Sequence, residues 1–191
     1  MLTVYQVKNL FEMMLPKNSV DLIITSPPRY ILSDYLEPLF RWLDWCISPR
    51  GVVVIDSPGL YNHQNRILHC YNSDLLEKRI TGLSLEYRYC RALYDLYQVG
   101  EMMGVYFYSV QDIEKIKEIP YRKCDERPMR HRCEFDAVYV QALIERFTEC
   151  GDTVLDPFCG TGTVPRMAHK LKREAIGIDR RCPFTNDESL L

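Results

Sequence analysis

At 191 residues the chain has the length of one compact domain, or of one domain carrying an insertion. Apolar residues make up 47% of it, enough for a sizeable core and too many for a disordered polymer. Twenty-four basic side chains against 26 acidic ones leave a net charge of −2, which excludes a polycation of the histone type but not a local basic groove.

Apolar stretches such as Val52 to Ile55 fall far short of the ~18 residues that cross a bilayer. The N-terminus lacks the basic start and apolar core of a secretory signal. The expectation is a soluble, cytoplasmic protein with no membrane partner.

In chain order, Val20–Thr25 is a buried strand that stops at Ser26-Pro27-Pro28, where two prolines remove ladder donors. Leu36, Leu39, Phe40, Leu43 and Cys46 or Ile47 give helical spacing over Tyr35–Ile47; Pro49-Arg50-Gly51 ends that helix and leads into a strand over Val52–Asp56. The second half of Leu75–Tyr97 reads as helix, Gly104–Val110 as strand and Gln111–Glu118 as a short helix. Charge, proline and irregularity make Ile119–Glu134 a mobile surface loop. Helix returns over Ala137–Glu149, followed by a turn at Gly151 and Asp152 and a strand at Thr153–Asp156. A glycine loop, a helix around Val164–Leu171 and a strand at Ala175–Ile178 complete the pattern. Alternating strands and helices predict an α/β fold: a mostly parallel twisted sheet with helices on both faces.

Eight cysteines at scattered positions contain no Cys-x-x-Cys, so reduced, mostly buried thiols are expected and no metal site. Cys124, His131 and Cys133 would need a fourth ligand to hold an ion. Basic residues gather twice. Arg122, Lys123, Arg127, Arg130 and Arg132 face only Asp125 and Glu126; Arg166, Lys170, Lys172, Arg173, Arg180 and Arg181 face Glu174 and Asp179. Two such stretches suit a nucleic-acid-binding face, or simply solvated helix and loop charge.

Asp156-Pro157-Phe158-Cys159-Gly160-Thr161-Gly162-Thr163 lies between a strand and a helix. Glycines there let a ligand approach the backbone beside the positive end of the helix. It is not a Walker loop, because no Lys-Ser or Lys-Thr follows. Nor is it the full dinucleotide fingerprint, because Pro165 stands at the third glycine position. Asp179 ends the next strand, 23 residues after Asp156, a spacing that suits the two hydroxyls of an adenosine ribose. Only one strand follows the loop, so the rest of the sheet must come from earlier in the chain. The order is permuted.

Thr25-Ser26-Pro27-Pro28 also follows a strand, where open α/β sheets carry chemistry. The prolines fix a turn whose carbonyls, beside the Ser26 hydroxyl, form a cluster of acceptors able to grip an exocyclic amino group. Together with Asp156–Gly162 near the other end, this turn resembles the permuted, β-class DNA amino-methyltransferases, which use S-adenosyl-L-methionine to methylate cytosine N4 or adenine N6. Leu15–Thr25, Leu39–Ile55, His131-Arg132-Cys133-Glu134-Phe135 and Leu143-Ile144 look like the same family.

The resemblance implies a single Rossmann-like methyltransferase domain over residues 1–191, with 57–133 as a variable region holding a small target-recognition insertion. It implies that Ser26, Pro27 and Pro28 form the catalytic turn, with Arg29 or Tyr30 stacking on the target base. Asp156, Phe158, Cys159, Gly160, Thr161 and Gly162 would hold the cofactor and Asp179 its ribose. Arg122, Lys123, Arg127, Arg130 and Arg132 would lie along DNA. Thr-Ser-Pro-Pro reads as cytosine-N4, so a site-specific cytosine-N4 DNA methyltransferase is expected, with adenine-N6 methylation or a catalytically weak cofactor- or DNA-binding relative as alternatives. Two positions depart from the family: Arg29 where an aromatic directly follows the prolines, and Val7-Lys8 where an acid usually follows the first strand. Little sequence is left for recognition, which predicts a second copy or a specificity subunit as partner.

Overall fold

The computed structural model describes residues 1–28, 31, 34–58, 60–61, 67–69, 88–96, 101–109, 135 and 137–181. Its elements in chain order are β1 (Leu2–Gln6), a 3₁₀ turn (Leu10–Glu12), β2 (Val20–Thr25), α1 (Leu36–Cys46) and β3 (Ile47–Pro58). Then come β4 (Leu60–Tyr61), β5 (Ile67–His69), β6 (Arg88–Leu96), β7 (Glu101–Ser109), α2 (Ala137–Phe147), β8 (Thr153–Asp156), α3 (Thr163–Lys170) and β9 (Glu174–Asp179). Seven strands form one sheet in the order β1-β9-β8-β2-β3-β7-β6, and β4 pairs with β5 separately. From β1 to β3 every pairing is parallel; β7 runs antiparallel to β3, and β6 to β7.

The uninterrupted apolar runs follow from burial on both faces of a parallel sheet. Along β2, Ile23 packs with Phe40, Leu43, Val53 and Leu155 on the α1 face. Its neighbours Leu22 and Ile24 pack with Val140, Leu143, Ile144, Val164 and Ala168 on the face covered by α2 and α3. Alternate residues thus serve opposite cores, and both sets are apolar.

Two expectations change, and one strand is unexpected. The stretch expected to be helical before Tyr97 is strand β6: its Arg, Ala and Leu content favours helix locally, but the antiparallel ladder with β7, Arg88↔Ser109 through Leu96↔Glu101, overrides that preference. Strand β3 begins at Ile47, directly after α1, rather than at Val52. The register shifts from Val20↔Ile47 to Leu22↔Val52, a bulge that absorbs Ser48-Pro49-Arg50-Gly51 without needing the missing proline donor. Strand β1 carries too short an apolar pattern to stand out; it forms as an edge strand on β9, Leu2↔Ala175 through Gln6↔Asp179. The expected helix at Gln111–Glu118 and the loop at Ile119–Glu134 lie outside the described residues.

One side chain ties the central strands together. Asp21 Oδ2 accepts from the Thr153 N–H at 3.0 Å in β8, while Asp21 Oδ1 accepts from the Ser48 hydroxyl at 3.1 Å in β3. A carboxylate in β2 therefore clamps the start of β8 on one side and β3 on the other. Replacing Asp21 with alanine leaves a part-buried N–H and a hydroxyl without this acceptor and should cost about 1–3 kcal/mol. A fall in the urea midpoint with an unchanged slope would register it; an unchanged midpoint would mean that the clamp adds nothing to stability.

Candidate active site

Because β1, β9, β8 and β2 are parallel neighbours, their C-terminal ends share one edge of the sheet. At that edge β2 gives way to Ser26-Pro27-Pro28, β8 to Pro157–Gly162, β9 to Arg180-Arg181 and β1 to Val7-Lys8. Register pairs Leu22 with Val154 and Ile23 with Leu155, so the two motif-bearing loops leave adjacent strands. Open α/β sheets place ligands at such a crevice.

The Ser-Pro-Pro turn is held from one side. Ile31 N–H donates to the Pro28 carbonyl at 2.9 Å, starting the turn toward Tyr35, whose N–H donates to Ile31 O at 3.0 Å. Among the described residues, neither Ser26 Oγ nor the Pro27 carbonyl holds a hydrogen bond. Pro27 is buried and Ser26 half-buried. Arg29 and Tyr30 lie outside the described residues.

The glycine loop is pinned by carboxylates as well as by its own turn. Gly160 and Gly162 adopt φ of +48° and +84°, the left-handed region that favours glycine. Gly162 N–H donates to Cys159 O at 2.7 Å, and Cys159 N–H donates to Ile178 O at 2.9 Å. Asp179, expected from its spacing to meet a ribose, also does backbone work: its Oδ2 accepts from Gly160 N–H at 3.0 Å and its Oδ1 from Arg181 N–H at 2.9 Å. Each oxygen keeps a second acceptor direction. Cys159 is buried, with its Sγ 3.0 Å from where a Cβ on Gly177 would stand, so the side chain packs beneath the loop. Phe158 and Thr161 are half-buried and Gly160 is exposed.

Asp156 differs from the other loop residues. It is 2% exposed, and its Oδ1 accepts from Phe158 N–H at 3.1 Å. Burial, and to a lesser degree the charge of Asp179, push its carboxyl up to about 7 from the ordinary 3.8, against the opposing pull of the Phe158 N–H and the Thr25 hydroxyl. Thr25 is fully buried at the end of β2, and its Oγ1 faces this carboxyl without reaching the geometry of a formed hydrogen bond. A carboxyl this deep shapes the loop from below.

Two cavities open at the same edge. A polar one of about 440 Å³ is lined by Lys8, Asp179, Arg180 and Arg181. An apolar one of about 200 Å³ shares Lys8 and Arg180 with it and is walled by residues including Phe11, Ile31, Tyr35 and Phe158. Phe11 and Tyr35 pack ring against ring at 5.9 Å with planes tilted by 37°. Sequence reasoning singled out neither aromatic; the only available signal was an aromatic in the short turn after the first strand.

The second basic stretch does not form one surface. Lys170 and Lys172 are exposed at the opposite edge of the sheet, ahead of β9. Arg173 is a structural residue, 9% exposed, donating through Nε to Thr148 Oγ1 at 3.0 Å, through Nη2 to Thr148 O at 2.6 Å and through Nη1 to Leu171 O at 2.6 Å. A guanidinium there satisfies one carbonyl just past α2 and another just past α3. Arg180 and Arg181 line the polar cavity of the crevice. Arg122, Lys123, Arg127, Arg130 and Arg132 lie outside the described residues, as do Cys124, His131 and Cys133. Cys46 and Cys159 are buried free thiols, Cys150 an exposed one, and burial pushes Cys46 up to about 12.

A permuted α/β sheet with an acceptor-rich turn and a glycine loop on adjacent parallel strands defines a Rossmann-like methyltransferase fold. The model of the N6_N4_Mtase family, described as DNA methylase, matches residues 61–184, and the chain belongs to that family. It is 24% identical over 216 residues to the type II methyltransferase M.HpaI of Haemophilus parainfluenzae, covering 86% of this chain and 65% of that one. It is 46% identical over 50 residues to M.MjaI of Methanocaldococcus jannaschii, 26% of this chain and 16% of the relative. The chain therefore spans only part of these relatives.

Among solved structures, the PvuII cytosine-N4-specific DNA methyltransferase superposes with a TM-score of 0.70 at 18% identity, over 94% of this chain and 82% of that one. TTHA0409 of Thermus thermophilus, complexed with S-adenosyl-L-methionine, gives 0.68 at 20% identity, over 95% and 89%. These likenesses establish the fold.

Asp156 makes folding pH-dependent. Its folded pKa is raised, so the native state binds a proton that the unfolded chain has already lost, and its contribution to stability falls as pH rises from about 4 to about 7. The full window amounts to about 4 kcal/mol as an upper bound. Asp156→Asn should flatten the stability profile over that range in urea titrations. A variant profile parallel to the parent's would mean that Asp156 ionises freely in the folded protein.

Proposed function

We propose that this chain binds S-adenosyl-L-methionine at the glycine loop and transfers its methyl group to the exocyclic N4 of cytosine in DNA. The observation that supports this most is the convergence of two unlike loops on neighbouring parallel strands: one with backbone, glycines and a carboxylate, the other with a serine hydroxyl and a proline carbonyl that make no hydrogen bond among the described residues. The residues fit the cofactor. Asp179 offers a second acceptor direction on each oxygen, as a ribose diol requires, and the aromatic cavity lies beside it for a flat base. When bound, the cofactor supplies an electrophilic methyl on a sulfonium, which departs as a neutral thioether.

Ser26 Oγ and the Pro27 carbonyl would accept the two hydrogens of the target amino group. That favours a pyramidal nitrogen, frees its lone pair from the ring and stabilises the positive charge growing there during in-line attack. Ser26 Oγ and the Pro27 carbonyl would hold the amino group until, once methylated, it loses its extra proton to water. A base inside a duplex must be flipped out to reach this turn. Arg29 or Tyr30 would stack on it, and the basic residues Arg122, Lys123, Arg127, Arg130 and Arg132 would follow the backbone. Residues 57–133 would supply target recognition with a second copy or a separate subunit. Strands β6 and β7 already commit part of that segment to the sheet.

Labelled methyl transfer to DNA, compared with RNA, tests the class of substrate, and nucleoside analysis of the product separates cytosine from adenine. N4-methylcytosine is expected; N6-methyladenine would overturn the base assignment alone, and no transfer to either nucleic acid would overturn the activity.

Asp179→Ala should weaken cofactor binding by about 1–3 kcal/mol, five- to a hundred-fold. The upper end is expected, because the variant loses the anchor of Gly160 as well as the ribose acceptor. Calorimetry giving the parent's affinity would refute the ribose assignment. Ser26→Ala should bind cofactor normally and slow single-turnover methylation by about 10²–10³. Parental turnover would reduce the turn to a strand terminator.

A further inference from the structure

The glycine loop rests on two carboxyls that differ in kind. Asp179 is partly open and holds two backbone N–H groups. Asp156 lies fully inside, at the end of β8 and directly before the loop. Its interactions are one N–H from Phe158, the facing Thr25 hydroxyl and the charge of Asp179; among the described residues it makes no ion pair. A buried carboxyl with that company has no cation to stabilise its charge, and Asp179 opposes that charge. Lys8, Arg180 and Arg181 line the polar cavity on the Asp179 side. Next to such a carboxyl, an arriving positive charge changes the balance.

We propose that Asp156 is a charge sensor beneath the cofactor loop: it releases its proton when a cationic methyl donor occupies the loop and recovers it when the neutral thioether by-product takes its place. The inference rests on the cofactor reading above. S-adenosyl-L-methionine and S-adenosyl-L-homocysteine share the base, ribose and amino-acid groups and differ by a methyl group and the positive charge on sulfur. Asp156 therefore provides a route to tell substrate from product through the free-energy linkage between cation binding and ionisation. Its raised pKa, near neutrality, leaves both forms accessible at working pH. Thr25 suits both forms, because its hydroxyl can donate to the carboxylate or accept from the carboxylic acid. Asp156 is thus a positioning residue, acting through its own proton and the Phe158 N–H it holds.

Calorimetry of the intact chain near neutral pH, in buffers of different ionisation enthalpy, counts protons released on binding. S-adenosyl-L-methionine should release about half a proton more than S-adenosyl-L-homocysteine. The ratio of their affinities should climb about tenfold in favour of the methyl donor between pH 6 and 8. Sinefungin, with an amine cation replacing the sulfonium, should follow the methyl donor, an arm that needs no variant. In Asp156→Asn, these differences should collapse, whatever common change in affinity the three compounds show. Equal proton counts in the parent, or a difference that survives in the variant, would overturn the sensor and leave the cofactor reading standing. Failure of every compound to bind would overturn the cofactor reading itself, and the sensor with it.

Discussion

The parallel pairing of β2 with β8 is the constraint on which the site depends. Side-by-side parallel strands deliver their following loops to one edge, so a turn built around residue 26 and a loop built around residue 160 become neighbours. Asp21 fixes that pairing at the other end of the strands, holding Thr153 and Ser48 at once. The apolar alternation of Leu22, Ile23 and Ile24 between two cores prevents a one-residue slip, which would send each side chain to the wrong helix layer. Packing and one carboxylate clamp therefore set the distance between chemical groups that lie beyond them.

Electrostatics then divides the labour among the acids at the edge. Asp179 is half-buried and accepts from the Gly160 and Arg181 N–H groups, so it shapes the loop from the open side. Asp156 sits where water is excluded, and burial outweighs the stabilisation from Phe158 and Thr25. Two aspartates at the ends of adjacent strands consequently have separate chemical characters, set by solvent access rather than by residue type. The cations Lys8, Arg180 and Arg181 offset Asp179 in the polar cavity, so that crevice carries a net positive lining.

Much of this was legible in the sequence because the informative residues are punctuation. Pro27 and Pro28 stop a strand, Gly160 and Gly162 permit positive φ, and the strand–loop–helix–strand order around them reports an α/β crossover. Strand β2 appears over the span its apolar run indicates, and β8 likewise. What stayed hidden was decided by partners distant in sequence. Residues 88–96 have helical composition, and only pairing with β7 makes them a strand. Arg173 looked like one member of a basic surface until Thr148, 25 residues earlier, folded around it. The walls of the apolar cavity, Phe11 and Tyr35, come from segments with no shared motif. Whether Asp156 touches a ligand or underpins the loop depends on burial, which spacing does not encode.

The permuted connectivity also has a consequence for the order of assembly. The clamp between Asp21 and Thr153 closes across 132 residues, so the central pairing is a long-range event with a large loop-closure entropy. A chain emerging from the ribosome can build β2 and α1 early, but neither half of the crevice has its counterpart until β8 and β9 have been made. Nascent chains consequently carry the acceptor turn without the glycine loop. Interruption of synthesis before β8 therefore leaves the turn at residues 26–28 without the loop that becomes its neighbour in the finished sheet.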